Sequence, residues 1–346
     1  MRNYYRVNVL LLTALIVALL FVAGCGGSKS TASANQSPSA NPSPSPSPSS
    51  AATPAPTPVA TPAPTPAPTP PPDPGPSPSL SPTPSAGQRG KVVVVVEENH
   101  GFSSVIGNAQ MPFLNTLATQ NALAAQYFAN THPSIGNYFM MTTGQIITNN
   151  DAFMTTVSAD NIVRHLLTAG KTWKSYAESL PSVGFTGGDV LPYVRHHNPM
   201  SYFSDVVGTA QANNLVPFTQ FAADLKAGQL PDFSFVAPNL NDDAHDGTLA
   251  QADTWLQSNI GPLLADPQFQ QNGLLIVVFD EAETTDTTNG GGHVVCVAVG
   301  PLVKKGFQSS ILYQHQNLLA LIASYLGIDG NIGAATGAAP MSDLLQ

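Results

Sequence analysis

The segment Asn130-Thr131-His132-Pro133-Ser134-Ile135-Gly136-Asn137-Tyr138 puts a hydroxyl where chemistry can be done with it. A helix beginning at Pro133 or Ser134 sets the Ser134 hydroxyl among free backbone N–H groups at the positive end of the helix dipole. An anion such as phosphate is best held there. Asn137, three residues on, shares the same face, so its amide could donate to a phosphate oxygen. The plainer alternative makes Ser134 a helix cap. An unassisted serine is a weak nucleophile, and Ser134 stands in no Gly-x-Ser-x-Gly elbow, which counts against a Ser-His-Asp hydrolase. The other activator is a metal that stabilises the alkoxide and polarises a phosphoryl oxygen, for which hard oxygen ligands are suited. Glu98, Asn99, Asp280 and Glu281 supply such ligands. The plainer reading of either acidic pair is a solvated strand end.

Side chains so far apart in sequence need a scaffold to gather them. Residues 91–96 are a β-branched run, the pattern of a strand buried on both faces of a parallel sheet. Similar signals occur at 124–128, 172–176, 233–237, 274–279 and 294–299, with helical patterns at 111–121, 135–143, 159–169, 217–227, 249–265 and 314–326. This alternation predicts a three-layer α/β/α sandwich around a mostly parallel sheet. In such sheets the active site gathers outside the carboxyl ends of the strands. There the sequence offers Glu97-Glu98-Asn99-His100, Thr131-His132-Pro133-Ser134, Asn241-Asp242-Asp243-Ala244-His245-Asp246 and Asp280-Glu281-Ala282-Glu283. Four chemically loaded segments are thus expected on one edge.

From Lys91 to Leu326 the chain resembles the bacterial phosphoesterase family that includes acid phosphatases and phospholipases C, a branch of the alkaline phosphatase superfamily. The matching pieces are the valine run ending Glu98-Asn99-His100, then Thr131-His132-Pro133-Ser134 with Asn137-Tyr138 and Thr143-Gly144, and Arg195-His196-His197-Asn198-Pro199. Pro238-Asn239-Leu240 leading to Asp243-Ala244-His245-Asp246-Gly247, then Asp280-Glu281, Gly290-Gly291-Gly292 and Gly300-Pro301 complete the series. The resemblance implies an alkaline-phosphatase-like fold and a phosphoryl-transfer site. In it Ser134 is the nucleophile, and Glu98, Asn99, Asp280 and Glu281 surround one divalent metal ion with it. His132, His197 and His245 would line the phosphate pocket or shuttle protons. Asp243 and Asp246 stand as caps or outer partners, His196 as a surface residue, and His293 as either a loop residue brought to substrate or a structural one.

The reading is therefore a metal-dependent phosphatase for phosphate monoesters, lipid monoesters such as a phosphoinositide included. A phospholipase C cleaving diesters is the alternative enzyme, and a non-catalytic phosphate-binding surface protein the alternative of another class.

Charge and composition set the context. Residues 90–346 hold 20 Asp and Glu against 8 Lys and Arg, near −12, so a nucleic-acid partner is not expected. Of the 32 prolines, 20 fall between Pro38 and Pro84 in a Ser/Pro/Thr/Ala stretch too poor in apolar surface to offset backbone ordering, which predicts a disordered spacer. Before it, Arg2 and Arg6 precede an apolar run from Val9 to Ala23 and the sequence Val22-Ala23-Gly24-Cys25. This reads as a signal peptide over 1–24, ending in a lipobox-like cysteine. The expected organisation is a lipidated Cys25 and linker over 25–89, then a catalytic domain over 90–346. The protein is thereby expected to be exported and anchored to a bacterial cell-envelope membrane, or secreted if Cys25 is not acylated. Cys296, in an apolar strand pattern, reads as a core thiol.

Overall fold

The computed structural model describes residues 90–346. The signal, Cys25 and linker assignments lie outside the described residues.

Strand β1 (Val92–Glu97) is five valines and a glutamate with every residue buried. It lies at the centre of an eight-stranded sheet. The others are β2 (Ala122–Ala124), β4 (Trp173–Ala177), β5 (Leu215–Pro217), β6 (Phe233–Ala237), β7 (Leu274–Phe279), β8 (Cys296–Val299) and β9 (Phe307–Ser309), in the order β5-β4-β6-β1-β7-β8-β2-β9. All run in one direction except β8, which is antiparallel to both its neighbours. A separate pair joins β3 (Tyr127–Phe128) to β10 (Tyr313–Gln314). Because β1, β6, β7 and β8 are buried at every residue, both faces of the sheet are covered, as in a three-layer α/β/α sandwich. The helices that cover them are α1 (Phe102–Val105), α2 (Pro112–Gln120), α3 (Ile135–Thr143), α4 (Ile162–Thr168), α5 (Thr219–Lys226), α6 (Leu249–Trp255), α7 (Phe269–Asn272) and α8 (His315–Leu326). Helix α3 packs on α8, which reaches β1, while α2 packs on α6.

Two expected elements divide. The strand expected over 124–128 is two strands in different sheets, because the chain turns at Ala125 and Gln126, where Ala125 donates to the Ser309 carbonyl. The helix expected over 249–265 leaves α geometry after Trp255, passing through a π turn at Leu256–Ile260 and a 3₁₀ turn at Gly261–Ala265. Pro262 lies in that last turn and has no N–H with which to continue an α ladder. Among the described residues, no helix is long and apolar enough to cross a membrane.

Candidate active site

Strand register decides which carboxylates meet. Glu97 of β1 lies opposite Phe279 of β7, so the next residues, Glu98 and Asp280, leave the sheet side by side. Asn99 then takes a left-handed backbone (φ 57°), which asparagine tolerates better than most residues. Its N–H faces Asp280 Oδ1 at 3.3 Å, and the Glu281 N–H reaches the same oxygen at 2.6 Å.

Ser134 arrives from across the sheet at the N-cap of α3, yet it does not cap: its side chain makes no hydrogen bond to the helix backbone. Its hydroxyl donates instead to Glu98 Oε2 at 3.2 Å, and the Ile135 N–H is taken by Asp151 Oδ1 at 3.1 Å. One turn later Tyr138 donates to Glu98 Oε1 at 2.7 Å.

His197 completes the group. The short helix Arg195–His197 is anchored by its neighbours: Arg195 stacks 4.0 Å over the Tyr202 ring and donates to Ser201, and Asn198 accepts from Ser175 of β4. The imidazole lies flat on Tyr138, ring centroids 4.9 Å apart. Its Nε2 is 3.2 Å from Glu98 Oε1 and its Nδ1 3.3 Å from Asp243 Oδ2. Neither approach has hydrogen-bond geometry.

The electrostatics follow from burial. Desolvation, then the charges of Asp280 and Asp243, push the Glu98 carboxyl well above its usual range against the pull of the Tyr138 hydroxyl. Desolvation and Glu281 do the same to Asp280, opposed by the N–H groups of Asn99 and Glu281 and by Ser134. Glu281 is pushed up to about 8 by burial and Asp151, Asp243 up to about 7 by burial, and His197 down to about 3 by burial and His245. Among the described residues, no Lys or Arg pairs with any of these acids. A buried acid without a cation holds a proton in place of one.

The phosphoesterase family profile matches residues 108–329. The chain belongs to the phosphoesterase family. It is a hydrolase acting on phosphoric ester bonds. This phosphoesterase is 36% identical over 255 residues to a phosphatidylinositol-3-phosphatase of Mycobacterium tuberculosis, covering 73% of this chain and 82% of that protein. It is 31% identical over 239 residues to a probable acid phosphatase of Kluyveromyces lactis, covering 66% of this chain but only 56% of that relative's length. A solved protein of the alkaline phosphatase superfamily from Vibrio parahaemolyticus superposes with a TM-score of 0.52 over 72% of this chain and 70% of that one, at 14% identity. That likeness establishes the fold.

The other expected site residues of the phosphoesterase have partners of their own. Asn137 was expected to offer its amide to phosphate. Both its N–H groups are occupied, by the Thr131 carbonyl at 2.9 Å and Glu281 Oε2 at 3.1 Å, while its oxygen accepts from the N–H groups of Asn130 and Thr131. With all four capacities filled, Asn137 positions residues 130–131 of the segment that leads to Ser134. His132 is held at Nε2 by the Asp286 carbonyl at 2.9 Å, and its Nδ1 lies 3.1 Å from Glu281 Oε1 without hydrogen-bond geometry. His245 is a third exposed and pairs with the open Asp246 at 2.8 Å. Asp243 also accepts from the His245 N–H.

His196 is half-buried, its Nδ1 without a partner, and burial followed by the His197 charge pushes it down to about 4. His293 is not delivered by a loose loop. Its ring stacks on Phe102 and Phe128 at 4.4 and 4.8 Å, and Nε2 meets the Ala125 carbonyl.

Tyr138, Asp151 and Glu97 were not singled out as site residues from sequence. The first reads as a core aromatic at helical spacing and the second as part of a Thr/Asn/Asp turn. The fully buried Glu97 lies among Asp243, Asp253, Asp242 and Glu178 with neither oxygen hydrogen-bonded.

The donor set of this phosphoesterase fits a divalent cation. Asp280 Oδ2 is buried and accepts no hydrogen bond, beside Glu98 and the Ser134 hydroxyl. Among the described residues, no group of three or more acidic, histidine or cysteine side chains is arranged to hold a metal ion. Two carboxylates with Ser134 and Asn99 would hold a cation and leave places for water or substrate oxygens. Glu281, expected as a further ligand, accepts from Asn137 through Oε2, while its Oε1 lies 3.1 Å from His132 Nδ1 without hydrogen-bond geometry.

Proposed function

We propose that this phosphoesterase is a metal-dependent phosphatase that hydrolyses phosphate monoesters through a phosphoseryl intermediate on Ser134. The observation that carries the reading is the Ser134 hydroxyl, drawn off its capping position and 3.2 Å from a buried Glu98 that has no cationic side-chain partner beside it. A divalent ion held by Glu98, Asn99, Asp280, Glu281 and Ser134 would supply charge for the alkoxide and for the phosphoryl oxygens.

The chain's own residues do the rest. Glu98 and Tyr138 orient the Ser134 oxygen, and Asn137 fixes the segment behind it. In the first step the Ser134 hydroxyl gives up its proton to solvent and its oxygen bonds to phosphorus while the phosphorus–ester oxygen bond breaks, the leaving oxygen taking a proton for which we assign the exposed His245 as donor. In the second, water attacks the phosphoserine, inorganic phosphate leaves and the Ser134 hydroxyl is restored. The sequence relation to a phosphatidylinositol-3-phosphatase supports lipid monoesters among the substrates. The catalytic domain is read as residues 90–346, exported and held at a membrane surface by an acylated Cys25 and the proline-rich spacer.

The test is p-nitrophenyl phosphate turnover with and without chelator, and by Ser134→Ala, with thermal unfolding of each sample as a second readout. Loss of turnover in both cases is expected, with a rise in melting temperature when a divalent ion is restored to chelated protein. Full activity of Ser134→Ala would overturn the mechanism. Faster release from phosphatidylcholine, a diester, than from a lipid monoester would turn the reading to a phospholipase C.

A further inference from the structure

Among the described residues, eight large apolar side chains are exposed, and five of them stand on two segments beside the site: Ile147, Met154, Val183, Val190 and Leu191, the last 74% open. Both segments are fastened to the catalytic residues. On the first, Asn149 donates to Thr131 Oγ1 at 2.7 Å and Asp151 accepts from Ile135, the residue after Ser134. On the second, Asp189 accepts from the Arg195 N–H at 2.8 Å, two residues before His197, and the Pro192 carbonyl accepts from Leu240 on the way to Asp243. Arg195 joins the two by donating to the Met154 carbonyl at 3.4 Å. Apolar side chains gathered around a hydrolytic site mark an interaction surface.

Charge decides what that surface can meet. Residues 145–157 and 181–193 contain no Lys or Arg; of their two charged residues Asp151 is half-buried and Asp189 is exposed, and each accepts from a backbone N–H. The outward face therefore presents apolar side chains and no cation, with Asp189 as its one exposed charge. Such a face places its apolar side chains in a lipid interface while the carboxylate stays at headgroup level on its backbone donor, and it has nothing with which to attract a polyanion.

We propose that Ile147, Met154, Val183, Val190 and Leu191 form a rim that inserts into a neutral lipid surface and presents the site to phosphate monoesters embedded there. The lipid substrate class rests on the phosphatase reading above, whereas insertion of the rim stands apart from it. The proposed acyl anchor on Cys25 would keep this rim within reach of a bilayer.

The experiment compares wild type with Val190→Ser/Leu191→Ser, both also in the Ser134→Ala background, using vesicles of phosphatidylcholine with and without a lipid phosphate monoester. In the Ser134→Ala background the serine substitutions are expected to weaken partitioning onto pure phosphatidylcholine about tenfold, since they remove two exposed apolar side chains. The partitioning should be insensitive to salt. With Ser134 intact, phosphate release from the vesicles falls by a similar factor while p-nitrophenyl phosphate turnover is unchanged. Equal vesicle binding by wild type and the rim variant overturns the proposal and leaves the phosphatase reading standing. Vesicle binding that depends on the rim in a protein with no phosphatase activity overturns that reading instead. Unchanged vesicle binding with a shift from dimer to monomer in the rim variant would assign the rim to a second copy of the chain.

Discussion

Tyr138 donates a 2.7 Å hydrogen bond to the same Glu98 oxygen that lies 3.2 Å from His197 Nε2, while the other carboxylate oxygen accepts from the nucleophile. Glu98, the residue after β1, is thereby oriented by two hydroxyls, Ser134 at the start of helix α3 and Tyr138 within it.

Tyr138→Phe tests that orientation. The hydroxyl lowers the Glu98 pKa, so its removal raises it and moves the acid limb of the kcat/KM profile to higher pH. A hydrogen bond to a charged group contributes about 1.5–3 kcal/mol, which sets an expected loss of roughly ten- to a hundredfold in kcat/KM near neutrality. An unmoved acid limb would remove Tyr138 from the site.

The exposed position of His245 predicts a dependence on the leaving group. His245→Asn should slow hydrolysis of an alkyl phosphate by about 10²–10³ and p-nitrophenyl phosphate far less, since p-nitrophenolate leaves without a proton. Equal losses on both substrates would assign proton donation elsewhere.

The glycines at 290–292 have a steric reason. Gly290 has φ 113°, and a Cβ there would lie 2.0 Å from the Asn130 carbonyl oxygen. Gly290→Ala is expected to cost about 1–3 kcal/mol of stability and, by displacing the segment that leads to Ser134, to lower kcat. Denaturant unfolding and turnover together check both halves.

A stability prediction comes from the far side of the sheet. Asp224 loses solvent, but the hydrogen bonds from Lys174, Tyr176 and Gln220 outweigh that loss and hold its carboxyl below the usual range. A depressed carboxylate stabilises the fold fully above its unfolded pKa and loses that contribution as pH falls through its folded one. Asp224→Asn should therefore be less stable than wild type at pH 7, by about 1–3 kcal/mol, and the two should converge as pH falls through the depressed folded pKa of Asp224. A gap that persists in acid would mean that packing, not charge, is at stake.

Much of this arrangement was legible in the chain. The valine run of β1, the strands Phe233–Ala237 and Leu274–Phe279 and helix α3 fall where their apolar patterning places them, because burial on both faces leaves an unbroken signal. Strands β5 and β9 escaped, being three residues each and too short for a period. At the site, spacing brought Ser134, Glu98 and Asp280 to one edge. It could not show that the Asn137 amide is fully consumed by backbone and Glu281, since hydrogen-bond saturation depends on the path of residues 130–134. Nor could it separate Tyr138 from the other aromatics of α3: Phe139, one residue on, faces Phe153 and Tyr202 instead.

Glu97 and Glu98 are neighbours in sequence and both fully buried, one bonded to the nucleophile and the other to nothing. Such a strand end works against the fold that holds it, because each glutamate must surrender its hydration on folding. The protein thus carries at its most ordered point a debit that selection for thermal endurance alone would erase. Glu97→Gln or Glu98→Gln, melted without added divalent ion, is accordingly expected to outlast the native chain on heating, the second of them as a more robust but silent enzyme.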